Sequence, residues 1–325
     1  MPFANLIKFA LAVLSGVAIC TAAIAQSYPG KPVKLVLPFP PGGSADSVAR
    51  EVADKLQANG VGSFIIENRP GAAGNLATGY VVKSPADGYT LLVGVTGALT
   101  INPGLYPDLG YKPDVDLVGI SMLAQAPVVI VASTQSGIAS INDLVTRAKA
   151  QPGKLTYATN GQGTSHHLAG EMFKHNAGIS MLNIPYKGTP GALQDIVAGR
   201  IDLGFLDLTA AMPLISAGRI VAVATTGATR PASLPNVPTV AESGYPDYEA
   251  MTWISLMAPR GMKAENVDKL SNAVNAVLAD ETFKKSVAAK GLDATGSTPD
   301  QLDRFIKDES VKWKAVIKRA NIAVN

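Results

Sequence analysis

Residues 33–56, VKLVLPFPPGGSADSVAREVADKL, decide the fold of this chain. The apolar run 33–37 predicts a buried strand, which ends at the proline- and glycine-rich turn 38–43. A helix is predicted to start at Ser44, a suitable N-cap, and Asp46 suits the positive end of its dipole. The apolar residues of this helix fall on one stripe: Val48, Val52 and Leu56. A buried strand that leads through a glycine turn into an amphipathic helix is typical of a βαβ unit.

The same alternation of strand and helix continues along the rest of the chain. Apolar runs predict further strands at 64–66, 90–95, 127–132, 154–159, 181–186, 201–207, 219–226 and 252–258. Helical periodicity predicts helices at 141–150, from about 164, at 192–198 and throughout the tail after 264. Strands that alternate with helices form parallel sheets with right-handed crossovers, so the sequence predicts an α/β fold.

Two segments have the character of passages between domains. The first is an extended run at 122–131 that Pro127 interrupts, and the second is a stiff stretch at 230–246 with four prolines. Two passages, one in each direction, predict two lobes around a hinge. Each lobe is predicted to be a mainly parallel sheet flanked by helices, and two crossing strands are predicted to join the lobes. The predicted division assigns 26–124 with 250–325 to lobe 1 and 125–249 to lobe 2.

Length and composition exclude several classes of protein. The 325 residues are enough for about two domains. The 47% of hydrophobic and 16% of charged residues exclude an intrinsically disordered chain. Lys and Arg number 28 against 25 Asp and Glu, which is far from the basic excess of a nucleic-acid-binding protein. Three histidines and one cysteine leave little material for a metal cluster, and we expect neither a metal nor a cofactor.

Residues 1–25 are predicted to be a signal peptide and not part of the fold. Their apolar core at 9–20 is followed by an A-x-A cleavage site at 23–25. This core is too short for a transmembrane helix, which needs about 20 residues. Cleavage before Gln26 leaves an exported chain without cysteine, which suits the bacterial periplasm and excludes a thiol enzyme.

We expect the exported protein to begin at Gln26. The intact mass of the protein purified from the periplasm should match residues 26–325. Cys20 offers the alternative of a lipoprotein, although Ile19 is unfavourable directly before a lipidated cysteine. A lipid adduct on Cys20 would contradict the prediction.

The turn before the first helix has the features of an anion-binding site. Free backbone N–H groups and the positive end of the helix dipole converge at Gly43 and Ser44, and glycine allows a ligand to approach closely. An ordinary tight turn is the alternative, and one such turn is weak evidence. The segment 159–166 repeats the arrangement, with Thr164 or Ser165 predicted to cap a helix. Two such turns across a cleft would hold a molecule with an acid group at each end.

For His166 and Asp207, which lie near these turns, the sequence leaves two possible roles each. His166 is either a ligand contact or a structural histidine. Asp207 ends a strand at the predicted cleft, where it either accepts a hydrogen bond from the ligand or caps the next helix. Catalysis by Ser165 and His166 is disfavoured, because adjacent helical side chains point about 100° apart and the G-x-S-x-G pattern of a hydrolase is absent. An exported hydrolase is therefore the weaker alternative to a binding protein.

Short motifs along nearly the whole mature chain resemble those of the tripartite tricarboxylate transporter receptors, the Bug-type family. In chain order they are YPGKP at 28–32, PFPPGG at 38–43, ENRPGA at 67–72, ADGYTL at 86–91, NP at 102–103, GTSHHL at 163–168, PYKG at 185–188 and LPNVPT at 234–239. The combination of these motifs is specific to the family.

The resemblance implies a type II-like two-lobed periplasmic binding protein that closes on a small mono- or dicarboxylate and delivers it to a membrane permease. We expect a monomer, and a receptor that acts on a sensor kinase is the alternative. In the family, ligand carboxylates are held by the first turn, the facing turn and the loop after the third strand. Carried onto this sequence, these residues are Phe39, Gly43, Ser44, Thr96, Gly97, Ala98, Asn160, Gly163, Thr164, Ser165 and His166. The loop 95–99, VTGAL, lacks the polar residues often found there, which indicates a less polar ligand end.

Overall fold

The computed structural model describes residues 28–323, in which helices pack against one continuous sheet. The predicted signal peptide lies outside these residues. The strands are β1 (Val33–Leu37), β2 (Phe64–Asn68), β3 (Thr90–Val95), β4 (Leu117–Ser133), β5 (Thr156–Thr159), β6 (Leu182–Pro185), β7 (Leu203–Asp207), β8 (Ile220–Thr225), β9 (Met251–Pro259) and β10 (Asp293–Ala294). The helices are α1 (Ser44–Ala58), α2 (Asn75–Val82), α3 (Asn102–Leu105), α4 (Pro113–Asp116), α5 (Ile141–Ala150), α6 (Ser165–Ala177), α7 (Thr189–Val197), α8 (Leu208–Ser216), α9 (Ala264–Ala279), α10 (Glu281–Ala288) and α11 (Pro299–Arg319). A 3₁₀ turn (Ala72–Gly74) precedes α2, and a π-helical turn (Gly97–Ile101) precedes α3.

The strand order in the sheet is β2-β1-β3-β9-β4-β7-β5-β6, and β8 and β10 pair with β4 outside this path. The outer strands are parallel, because β1 pairs with β2 and β3, and β5 pairs with β6 and β7. These are the βαβ units that the sequence predicts, and the α/β class is confirmed. The central strands β4 and β9 add antiparallel pairs, which the sequence pattern did not indicate.

Strand β4 is long enough to belong to both halves of the sheet, since it spans 17 residues. Its first part pairs with β9 as far as Pro127, which lies opposite Met251. From Val128 onward it pairs with β7 and β8. The chain therefore passes from the first half to the second at this change of partners, and returns where β9 begins. The lobe boundaries expected at 124/125 and 249/250 lie close to these points and stay a prediction.

The apolar core is divided between the two halves. Strands β1 and β3 share one cluster with α1 and α9, whereas β7, α6 and the second part of β4 share another. Helix α11 contributes to both halves. Its residues Leu302 and Ile306 pack beside α2 and β9, while Trp313 and Val316 pack in the cluster of α6 and β7. The C-terminal helix thereby fastens the two halves to each other.

A buried carboxylate fixes α11 to the central strand. One oxygen of Glu309, Oε2, accepts hydrogen bonds from both indole nitrogens of the chain, that of Trp253 on β9 at 3.1 Å and that of Trp313 on α11 at 2.9 Å. The ammonium of Lys312 lies 3.2 Å from Oε1 of Glu309 and balances its charge. The backbone N–H of Trp253 donates to the hydroxyl of Thr96 at 2.9 Å. The helix is thus connected through β9 to the loop that precedes the π-helical turn.

Candidate functional site

A small cavity of about 30 Å³ lies between the two halves, where the N-termini of α1, α6 and α7 meet. Ten of the twelve residues predicted as ligand contacts line it: Phe39, Gly43, Ser44, Thr96, Gly97, Asn160, Thr164, Ser165, His166 and Asp207. The structure therefore brings together residues that lie far apart in the sequence. Their role as ligand contacts stays a prediction.

Helix α1 begins at the cavity without a side-chain cap. The expected cap, Ser44, is the first helical residue, and the capping position is held by Gly43, which has no side chain to offer. The hydroxyl of Ser44 donates instead to Oδ1 of Asp207 at 2.9 Å, because that carboxylate lies directly opposite and is a strong acceptor. The first N–H groups of a helix have no partner within the helix. In α1 they consequently remain available at the cavity wall.

Helix α6 begins on the other side of the cavity. Thr164 is its N-cap, as one of the two predicted alternatives had it, and its hydroxyl accepts a hydrogen bond from the N–H of His167 at 3.2 Å. Ser165 and His166, the first two residues of the helix, both line the cavity. The positive ends of the α1 and α6 dipoles thus meet at one place, which favours a negatively charged group there.

Asp207 is the centre of a hydrogen-bond network that joins the two halves. Its carboxylate accepts from Oγ of Ser44 at 2.9 Å, from Nδ2 of Asn160 at 2.9 Å and from Oγ1 of Thr189 at 2.7 Å. Ser44 belongs to the first half, whereas the other residues follow strands of the second. The side chain of Asp207 makes no capping bond to α8, so this alternative is not found.

Two opposing effects determine the pKa of Asp207. Burial alone would raise this pKa, because a carboxylate loses its hydration. The ring of His166, whose Nε2 lies 3.4 Å from Oδ1 of Asp207, together with the hydrogen bonds from Thr189 and Ser44, outweighs burial and holds the pKa below its ordinary value. Asp207 is therefore ionised at neutral pH and places a negative charge in the cavity wall.

His166 is 3% exposed, and its ring has unused hydrogen-bonding capacity. Within residues 28–323, neither Nδ1 nor Nε2 of His166 has a hydrogen-bond partner, because the contact with Asp207 lacks hydrogen-bond geometry. Leaving a buried polar group unpaired costs about 1–3 kcal/mol. A ligand in the cavity would remove this cost, which favours the first of the two roles expected for His166.

The cavity wall contains no lysine or arginine among the described residues. Its second carboxylate, Asp46, is 2.9 Å from the guanidinium of Arg50 and accepts a hydrogen bond from the N–H of Gly42 at 3.1 Å. Burial would raise the pKa of Asp46, but the bonds from Arg50 and Gly42 outweigh it and lower this pKa. The charge of Asp46 is balanced within its own helix, whereas Asp207 has only His166 beside it.

Two glycines bring the halves into contact beside the cavity. A Cβ atom on Gly97 would lie 2.7 Å from the carbonyl oxygen of Gly163, and a Cβ on Gly163 would overlap with Oδ1 of Asn102. Gly163 also has a φ of +83°, which residues with side chains rarely adopt. Gly163 and Ala98 are the two expected contacts that do not line the cavity. Ala98 is buried, and its carbonyl accepts a hydrogen bond from the hydroxyl of Tyr111 at 2.8 Å.

Nine lining residues were not predicted: Pro40, Ala45, Asp46, Val95, Gly188, Thr189, Pro190, Thr252 and Ile254. Thr189 is the most informative of them, because its hydroxyl donates to Asp207 at 2.7 Å. Gly188 is the N-cap of α7 and Thr189 its first residue, in the same order of glycine and hydroxyl residue as Gly43–Ser44 and Gly163–Thr164. That repeated order is the signal that could have located Thr189 from the sequence.

Residues 28–323 contain neither a candidate membrane-spanning helix nor a candidate metal site. No helix in this range is both long and apolar enough to cross a bilayer. The same range holds no group of three or more His, Cys, Asp or Glu side chains placed to bind a metal ion.

Comparison with known proteins supports a receptor family. The sequence model of the tripartite tricarboxylate transporter family receptor matches residues 48–322. The protein BugT of Bordetella pertussis is 36% identical over 309 residues, which cover 93% of this chain and 95% of BugT.

Solved structures show the same fold. A protein of R. palustris solved with adipate is 36% identical, with a TM-score of 0.89 over 91% of this chain and 99% of that protein. The periplasmic binding protein BugD is 32% identical, with a TM-score of 0.87 over 91% of this chain and 99% of BugD. MatC from Rhodopseudomonas palustris, with bound malate, is 28% identical, with a TM-score of 0.83 over 89% of this chain and all of MatC.

These similarities extend over nearly the whole described chain and confirm the two-lobed α/β binding-protein fold. They also confirm the family that the short motifs resemble. The chain belongs to the tripartite tricarboxylate transporter receptors of the Bug type.

Proposed function

We propose that this protein is a periplasmic, monomeric receptor that binds a small mono- or dicarboxylate between its two lobes and delivers it to a tripartite tricarboxylate-type permease. The observation that carries the proposal is the convergence of two helix N-termini on one cavity, beside a buried His166 without a hydrogen-bond partner. The relatives solved with adipate and malate bind acids of this size, which supports the ligand class.

Binding is coupled to closure of the lobes. The cavity takes its walls from both halves, since Ser44 and Gly97 precede the change of partners in β4 and Asn160 and His166 follow it. A ligand that contacts both walls stabilises the closed form and shifts the population towards it. A cavity of about 30 Å³ has little more room than a water molecule needs. The lobes must therefore separate before an acid enters.

The arrangement of polar groups does not support catalysis by a serine nucleophile. A hydrolytic triad needs a histidine between the serine and the carboxylate. Here the hydroxyl of Ser44 donates directly to Asp207, and no serine bonds to His166 within the described residues. The protein is therefore proposed to be a receptor and not an exported hydrolase. A hydrolytic turnover with any ester or amide of a bound acid would contradict this.

We expect the protein to bind a carboxylic acid more tightly than the corresponding amide or ester. The two helix N-termini each contribute about 0.3–2 kcal/mol to the binding of an anion, and a neutral amide or ester loses this contribution. Isothermal titration calorimetry with adipate, malate and their mono- and diamides measures the difference. Equal affinities for acid and amide would contradict the proposed ligand class.

The transport partner requires a separate experiment. The ligand-loaded protein, immobilised and incubated with detergent-solubilised membranes, should retain subunits of a tripartite permease. Recovery of a sensor kinase in place of the permease would replace the transport role with a signalling role, while the carboxylate-binding role would stand.

A further inference from the structure

We propose that this cavity selects carboxylic acids that carry an ammonium or hydroxyl group close to one carboxylate, with Asp207 as the acceptor for that group. The inference rests on the proposed function and narrows its ligand class. It follows from the charges of the cavity wall and from the way in which Ser44 and Asp207 are joined across it.

The charges of the cavity wall favour a ligand that carries a hydrogen-bond donor. Asp46 is balanced by Arg50, and no lysine or arginine reaches the cavity within the described residues. Asp207 keeps its charge with three neutral donors and the ring of His166 around it. A ligand that is negative at every polar end would be repelled by Asp207 at short range in a poorly hydrated site. An ammonium or hydroxyl group directed at Asp207 turns this repulsion into an attraction.

The groups proposed to hold the carboxylate and the donor of the ligand lie close together. The N-termini of α1 and α6 favour a carboxylate, and their first residues, Ser44 and Ser165, line the same cavity as Asp207. The hydroxyl of Ser44 is 2.9 Å from Asp207, so the anion-favouring helix end and the acceptor are in direct contact. A ligand can satisfy both only if its own carboxylate and its own donor are neighbours, as in an α-amino or α-hydroxy acid.

A ligand of this kind allows an exchange of hydrogen bonds at Ser44 and Asp207. Ser44 donates to Asp207 across the two halves and also lies 3.3 Å from the hydroxyl of Thr209. When the lobes separate, this bond breaks, and both Ser44 and Asp207 become available. A ligand carboxylate then accepts from Ser44, while the neighbouring ammonium or hydroxyl donates to Asp207. With an amino or hydroxy acid, both Ser44 and Asp207 have a hydrogen-bond partner. With an unsubstituted acid, Asp207 lacks a replacement for the hydrogen bond that Ser44 donated.

Four side chains face Asp207, each from a different structural element. Ser44 comes from α1, Asn160 from the turn after β5, His166 from α6 and Thr189 from α7. Ser44, Asn160 and Thr189 are uncharged side chains. Calorimetry at one fixed pH compares all ligands against the same state of the site.

The test is a ligand series matched in chain length, measured by calorimetry at one pH. Each set contains an unsubstituted acid, its 2-hydroxy acid and its 2-amino acid: succinate, malate and aspartate, then adipate, 2-hydroxyadipate and 2-aminoadipate, then propionate, lactate and alanine. In the wild-type protein we expect the donor-bearing acids of the preferred length to bind at least about 10-fold more tightly than the unsubstituted acid, or about 1.4 kcal/mol.

Asp207→Asn supplies the second arm, because it removes the charge and keeps the shape. We expect this variant to bind the amino acid at least about 10-fold more weakly, and thereby to lose the preference for the amino acid over the unsubstituted acid. Asp195→Asn is the matched control, since Asp195 lies in α7 of the same half but pairs with Arg200 at 2.9 Å and does not line the cavity. Asp195→Asn should leave the ratio of affinities between substituted and unsubstituted acids unchanged in every set. Urea unfolding establishes that both variants are folded.

The outcomes separate the two proposals. If unsubstituted acids bind as tightly as their donor-bearing partners in the wild type, the role of Asp207 is wrong and carboxylate binding stands. The same conclusion follows if Asp207→Asn leaves the ratios unchanged. If no acid of any length binds to the wild type, the proposed function fails, and this inference fails with it. The wild-type series alone decides the inference should Asp207→Asn not fold.

Discussion

Gly163→Val should lower ligand affinity at least about 10-fold, which corresponds to about 1.4 kcal/mol, and should leave the protein unable to close. The Cβ of the new residue would overlap with Oδ1 of Asn102 in the other half, and Asn102 is completely buried. Separation of the lobes relieves this overlap, so each lobe should remain folded while the closed form is lost. The φ of +83° at Gly163 adds backbone strain to the same effect.

Calorimetry measures the loss of affinity, and small-angle scattering measures the loss of closure. The wild type should contract when ligand is added, whereas Gly163→Val should keep its open dimensions at the same ligand concentration. Gly178→Val is the matched control, because Gly178 also has a positive φ, of +62°, at the other end of α6, but its Cβ would meet no atom within 4 Å. This control should lose some stability and keep its affinity. Normal closure and unchanged affinity of Gly163→Val would exclude contact between the lobes at this turn.

Glu309→Ala should lower the free energy of unfolding by about 2–5 kcal/mol, since it leaves two buried indole N–H groups without an acceptor. Trp253 and Trp313 are at most 1% exposed, so water cannot replace the lost carboxylate without opening the core. The two residues are the only tryptophans of the chain, so their fluorescence during urea unfolding reports directly on this contact.

Two further variants test whether the lost stability comes from the missing acceptor for the indole N–H groups. Glu309→Gln keeps an acceptor oxygen and should lose less than half as much stability as Glu309→Ala. Glu281→Ala removes a carboxylate whose side chain is 75% exposed and should change the stability by no more than about 0.5 kcal/mol. A similar urea midpoint for Glu309→Ala and Glu281→Ala would contradict the structural role of Glu309.

Local patterns were sufficient to predict several elements of the fold. The bounds of β1, β3 and α5 agree with the prediction, because an apolar run or a helical stripe is a property of a few consecutive residues. The pairing of β4 with β9 is different. It joins Pro127 to Met251, which are far apart in the sequence, and extends β4 back to Leu117, beyond the strand predicted at 127–132. No local signal contains such a partner.

In the candidate site, too, local patterns predicted the turns but not the contacts between distant residues. The glycine turns at the starts of α1 and α6 were predicted, since strand, glycine and helix follow one another directly in the sequence. The cap expected at Ser44 was wrong, because its preferred acceptor, Asp207, comes from a strand that only the tertiary fold brings near. Propensity describes Ser44 among its sequence neighbours and contains no information about a carboxylate across a cleft.

The uncapped start of α1 has a consequence for how this receptor changes during evolution. In the proposed binding mode, the groups that face the acid there are main-chain N–H groups, which nearly every substitution leaves in place. The shape and polarity of the cavity depend on side chains such as Phe39, Val95 and Ile254, which single mutations replace. A descendant of this protein can therefore acquire a new substrate by altering these walls while its capacity to hold an acid is inherited unchanged.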